Sequence, residues 1–117
     1  MITKHQNDAL VVTVVGAGYV GALTAITMAY KNPEVHFKVC DINRKLIDRW
    51  TDGDLPFYEP DLETYYKQAV HLRRNVEFST DVRQCIDAGD IIFIAVNTPP
   101  KRQEHGPVLQ MQSKRKQ

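Results

Sequence analysis

An apolar run rich in β-branched residues, Leu10-Val11-Val12-Thr13-Val14-Val15, stops abruptly on Gly16-Ala17-Gly18-Tyr19-Val20-Gly21. The run reads as a strand buried on both faces, as in a parallel sheet. The sextet that follows leaves the chain little choice. A glycine at the first position lets the backbone turn sharply out of the strand. A second, without a Cβ, leaves the backbone open to close approach, and the third lets the next helix pack tightly on the sheet. Apolar residues Val20, Leu23, Ala25, Ile26 and Ala29 recur at helical spacing and predict a helix over residues 19–31. Asn32-Pro33 ends it, because the residue before proline disfavours α geometry.

The alternation continues downstream. Residues 36–41 predict a second strand ending on Asp41, and Asn43 caps a helix to about 51 with Leu46, Ile47 and Trp50 on one face. Residues 52–54 break it, and Pro60 fits the first turn of another helix reaching about 72. Residues 75–79 form a short edge strand, Thr80 caps a helix over 81–88, Gly89 stops it, and residues 91–96 are the most apolar run of all. Right-handed crossovers turn this order into an α/β fold. The expected architecture is a partial Rossmann fold: a parallel sheet of about four strands, order 3-2-1-4, with helices on both faces. Residues 1–9 are expected to fray, residues 10–100 to form the domain, and residues 101–117, polar with five basic side chains, to be a disordered tail.

Composition removes several function classes. At 117 residues the chain has room for one domain, and 43% apolar content suffices for a core. Fifteen basic against fourteen acidic side chains, net +1, give no electrostatic case for nucleic acid or a membrane surface. No apolar run is long enough to span a bilayer or to form a secretory leader. Cys40 and Cys85 lack metal-type spacing and fit a reducing, cytoplasmic setting. His5, His36, His71 and His105 are scattered without ligand spacing, so no metal site is expected.

The functional signal is the sextet in its context: it follows a strand, opens a helix, and sits in a strand-helix-strand unit. A helix N-terminus there turns N–H groups and the positive dipole end toward a diphosphate. Asp41, twenty residues beyond Gly21, can accept hydrogen bonds from adenosine ribose hydroxyls. Its charge would repel a 2′-phosphate, which favours NAD over NADP, although Arg44 and Lys45 close by would offset part of that repulsion. Val96-Asn97-Thr98-Pro99-Pro100 leaves the other central strand and should face the glycine turn across the switch point of the sheet. Leu55-Pro56-Phe57-Tyr58-Glu59-Pro60 either packs beside the dinucleotide or simply joins two helices, and the residues themselves favour the connector.

Taken together, G-A-G-Y-V-G, Asp41 followed by Asn43, Trp50, L-P-F-Y-E-P, F-S-T-D and V-N-T-P resemble the UDP-glucose dehydrogenase family over about residues 10–100. The resemblance implies an oxidoreductase that converts UDP-glucose to UDP-glucuronate while reducing two NAD⁺, through a cysteine adduct. It implies that Gly16, Ala17, Gly18, Tyr19, Val20, Gly21, Asp41, Val96, Asn97, Thr98, Pro99 and Pro100 contact NAD. Leu46 stands where the family has a basic residue, and Asp61 where its Y-E-P run continues with glycine. From about Arg102 the sequence departs from the family pattern, and neither cysteine lies in the family's nucleophile motif. The chain is therefore expected to be an N-terminal NAD-binding fragment with no catalytic residue of its own, meeting UDP-glucose only in a full-length enzyme. Alternatives are dehydrogenases of GDP-mannose or UDP-N-acetylmannosamine, and a non-catalytic nucleotide-binding or self-associating module, the latter through a sheet edge left uncovered beyond the fourth strand.

Overall fold

The computed structural model describes residues 9–55, 58–97 and 107–113, with Asn97 and the last seven known by their backbone. The fraying expected of residues 1–9 lies, apart from exposed Ala9, outside the described residues.

Among the described residues five strands form one sheet in the order β3-β2-β1-β4-β5. β1 (Val11–Val15) is central, flanked in parallel by β2 (His36–Cys40) and β4 (Ile91–Asn97), and β3 (Val76–Ser79) continues the sheet beyond β2. The parallel order 3-2-1-4 read from sequence is the one observed. Alternation along β1 then decides which helix covers which face. Val12 and Val14 point into the main core with Ala22, Ala25, Ile26 and Ala29 of α1 (Tyr19–Lys31). Thr13 points the other way, fully buried, and its Oγ1 donates to the Cys85 carbonyl of α4 (Val82–Ala88) at 2.5 Å. Gly89 ends α4 without adopting a left-handed turn; a Cβ there would stand 2.4 Å from Thr13 Oγ1. Close packing on β1 therefore requires this glycine.

α2 (Arg44–Asp52) starts as expected: the Asn43 side chain accepts from Leu46 N–H at 3.2 Å, and Gly53 closes the helix at φ +81°. Two helix starts differ from expectation. Asp81, not Thr80, caps α4, its carboxylate accepting from Gln84 N–H. Pro60 precedes α3 (Leu62–Tyr66), and Asp61 takes the left-handed conformation at φ +72° as its N-cap. That is the position where the family pattern has glycine, and aspartate is among the few other residues that tolerate it. α3 runs on as a π-helical turn, Lys67–Leu72.

The larger correction concerns the end of the chain. Within the tail expected to be disordered, Pro107–Ser113 forms β5, paired antiparallel with β4 from Asn97↔Pro107 to Ile91↔Ser113. Residues 101–106 and 114–117 lie outside the described residues. The edge of β4 offers a row of backbone donors and acceptors, and a strand can pair with it whatever its hydrophobic period. The uncovered edge beyond the fourth strand, invoked for self-association, is thus occupied by the chain itself.

Candidate dinucleotide-binding site

β1, α1 and β2 meet at the carboxyl end of the sheet, and the glycine turn is built there from three independent anchors. Gly16 N–H donates to the Cys40 carbonyl at 2.7 Å. Ala17 N–H donates to Asp41 Oδ2 at 2.8 Å, and the Ala17 carbonyl accepts the Trp50 indole N–H, also at 2.8 Å. Trp50 is completely buried, its ring lies parallel to Phe78 at 5.9 Å, and its own carbonyl accepts the Tyr66 hydroxyl. The backbone N–H and C=O of buried Ala17 are thereby satisfied by side chains from β2's end and from α2.

The glycines divide their work unequally. Gly16 sits at φ +116°, and a Cβ would meet the Ala95 carbonyl oxygen at 2.1 Å, so both the turn and the approach to β4 exclude any side chain. At Gly21 a Cβ would stand 2.0 Å from the Gly16 carbonyl oxygen and 3.2 Å from the Ala95 side chain. The helix is thus pressed against the turn as well as the sheet. Among the described residues nothing lies within 4 Å of a Cβ added at Gly18. Packing does not require this glycine; the space above it is open.

That space is a cleft of about 350 Å³. Gly16, Gly18, Tyr19, Val20, Asp41 and Val96 line it, while Ala17 and Gly21 are buried behind it. Asn97 closes β4, paired by its backbone with Pro107; Thr98, Pro99 and Pro100 lie outside the described residues. Asp41 is half-buried and aimed at the glycine turn. Its Oδ1 accepts Asn43 N–H at 2.9 Å and its Oδ2 the Ala17 N–H. An ionised carboxylate offers about four acceptor positions, so two remain for hydroxyl donors in the cleft. Arg44, expected to soften the charge of Asp41, reaches Thr80 Oγ1 at 3.1 Å and lies 3.9 Å from Asp48.

Sequence reasoning missed part of the lining. Ile42 and Asn43, the latter taken only as a cap, join Leu46 and Ala95 in the wall. Ile42 is 85% exposed, an apolar side chain displayed directly after the acid. An isoleucine between an acid and a capping asparagine is the signal that could have revealed it. The segment 55–60 proves more than a connector, since Glu59 accepts the Tyr19 hydroxyl at the mouth of the cleft. That bond, with burial and the carboxylate's charge, pushes the Tyr19 phenol above its ordinary pKa. A roomier hollow of about 600 Å³ lies beyond, between the end of α2 and α3. Gly53, the turn that closes α2, lines it, and none of the residues 16–21 does.

Both cysteines are buried. Burial, reinforced by the neighbouring Cys85, pushes the Cys40 thiol up to about 12, and burial raises Cys85 as well. A thiol so suppressed is not a nucleophile near neutral pH. Among the described residues no group of three or more His, Cys, Asp or Glu could hold a metal ion, and no helix is long and apolar enough to cross a membrane.

A strand-turn-helix that presents backbone to an open cleft, with an acid at the end of the neighbouring strand, defines a dinucleotide-binding α/β domain. Comparison with known proteins narrows the class. Residues 10–115 match the model of the UDP-glucose/GDP-mannose dehydrogenase family, NAD binding domain, and the chain belongs to that family. The match runs past Arg102, where the sequence reading had the family pattern stop. UDP-glucose 6-dehydrogenase 1 of Arabidopsis thaliana is 46% identical over 92 residues, 79% of this chain and 19% of that protein. UDP-glucose 6-dehydrogenase 5 of rice is 44% identical over 87 residues, 74% of this chain and 18% of its own length. The chain thus spans about a fifth of these relatives. Among solved structures, a UDP-glucose dehydrogenase from Pyrobaculum islandicum superposes with a TM-score of 0.71 at 25% identity, covering 91% of this chain and 24% of its own. A UDP-N-acetyl-mannosamine dehydrogenase from Staphylococcus aureus gives 0.67 at 32% identity over 80% of this chain and 21% of its own.

Proposed function

We propose that the chain binds NAD across the glycine turn, as the cofactor-binding part of an oxidoreductase that oxidises UDP-glucose to UDP-glucuronate. The carrying observation is the Asp41 carboxylate, fixed on the Ala17 N–H at 2.8 Å and lining the same cleft as the open face of Gly18. In this reading Gly16 to Gly21 cradle the diphosphate at the start of α1 and Asp41 takes the ribose hydroxyls. Val96 to Pro100 are the remaining NAD contacts of this reading. NAD supplies the hydride acceptor; these residues orient it and leave no thiolate of their own in the cleft. UDP-glucose is preferred to GDP-mannose or UDP-N-acetylmannosamine because the matched relatives of 46% and 44% identity are UDP-glucose 6-dehydrogenases. The reading carries a cytoplasmic setting, supported by two free buried thiols.

Calorimetric titration of the chain with NAD⁺ tests the proposal. Saturable binding is expected, with NADP⁺ weaker. Asp41→Asn, which removes charge-assisted acceptors, should weaken NAD⁺ by roughly ten- to a hundredfold. Its thermal melt provides the folding control, since Asp41 also holds the turn. Absence of saturable binding by the unaltered chain would overturn the reading. No NADH is expected from UDP-glucose and NAD⁺ with this chain alone, because both thiols are buried and suppressed.

A further inference from the structure

The L-P-F-Y-E-P segment is the motif that the dinucleotide site leaves unexplained, and its glutamate touches that site at one point. Tyr19 is the first residue of α1, lines the cleft, and is 46% exposed. A half-exposed tyrosine beside the open face of Gly18 would ordinarily sample several rotamers, some of them across the space a diphosphate needs. Its hydroxyl instead donates to Glu59 Oε2. Glu59 is itself held: its carbonyl accepts Leu62 N–H at 3.1 Å, where left-handed Asp61 opens α3, and Leu62 is buried in the main core. This hydrogen bond therefore ties the tyrosine to the scaffold of a second helix.

We propose that Glu59 is a positioning residue for the dinucleotide. By accepting the Tyr19 hydroxyl, it parks that ring as the side wall of the cleft and keeps the face of Gly18 clear. The inference rests on the cleft being the NAD site. What Glu59 contributes is an acceptor, not a charge, since a carboxylate near a diphosphate is electrostatically unfavourable. The raised pKa of Tyr19 keeps it a donor throughout the neutral range. Preorganising one side chain is worth about three- to tenfold in affinity.

NAD⁺ affinity and melting temperature are measured for the full chain and for Tyr19→Phe, Glu59→Ala, Glu59→Gln and the Tyr19→Phe/Glu59→Ala pair. Tyr19→Phe and Glu59→Ala should each weaken NAD⁺ by roughly three- to tenfold, and the pair by no more than either alone. Glu59→Gln, which keeps an acceptor and sheds the charge, should bind as tightly as the unaltered chain or tighter. Melting temperatures should stay nearly constant, because the pair is not in the core. A Glu59→Gln variant as weak as Glu59→Ala, additive losses in the pair, or losses that track melting temperature would overturn the proposal. NAD⁺ binding that is normal in all variants would overturn it while leaving the cofactor reading intact. Failure of the unaltered chain to bind would overturn both.

Discussion

Replacing Trp50 with phenylalanine tests how the glycine turn is held. The indole N–H donates to the Ala17 carbonyl at 2.8 Å, and both residues are fully buried. Phenylalanine can keep the face packed on Phe78 but leaves that carbonyl without its donor, which costs about 1–3 kcal/mol. Loss of the smaller ring's volume from a closed site adds about 1 kcal/mol. The sum, about 2–4 kcal/mol, should lower the urea midpoint by about 1–2 M for a chain of this size. Trp50 is the only tryptophan, so unfolding must be followed by circular dichroism rather than fluorescence. NAD⁺ affinity should fall too, by less than it does for Asp41→Asn, because Asp41 still holds the Ala17 N–H. A Trp50→Phe chain with an unchanged midpoint would refute the argument that the indole anchors the turn.

Two further predictions separate packing from binding and fix the response to acid. Gly16→Ala should fail to fold or lose several kcal/mol, since its Cβ would sit 2.1 Å from the Ala95 oxygen at a positive φ; Gly18→Ala should melt normally yet bind NAD⁺ at least about tenfold more weakly, its methyl filling the open cleft. On the other face, Glu77 accepts from Lys38 at 3.1 Å and pairs with His36 at 2.7 Å, and although burial pushes its carboxyl up, these partners pull it below the ordinary 4.5. A depressed folded pKa means that its stabilisation is present above the unfolded value of 4.5 and fades as pH falls through the folded one. Glu77→Gln should therefore flatten the acid limb of the stability curve below about pH 4.5, and an unaltered limb would refute the assignment.

Local signals were enough to write much of this molecule. The β-branched run, the glycine sextet, the apolar helix period and Pro33 lie within a few residues of what they specify. Strand-helix alternation with right-handed crossovers then leaves 3-2-1-4 as the order of the parallel sheet. Asp41 was legible because its distance from Gly21 is fixed by one helix and one strand. Other contacts were not, because their partners are far apart in sequence and only packing brings them together. The Trp50 indole meets Ala17 thirty-three residues away, Tyr19 meets Glu59 forty away, and Thr13 needs Gly89. β5 was illegible for a different reason. Its pairing with β4 is made by backbone groups, which every sequence carries, so the edge of the sheet rather than the pattern of residues 107–113 decided it.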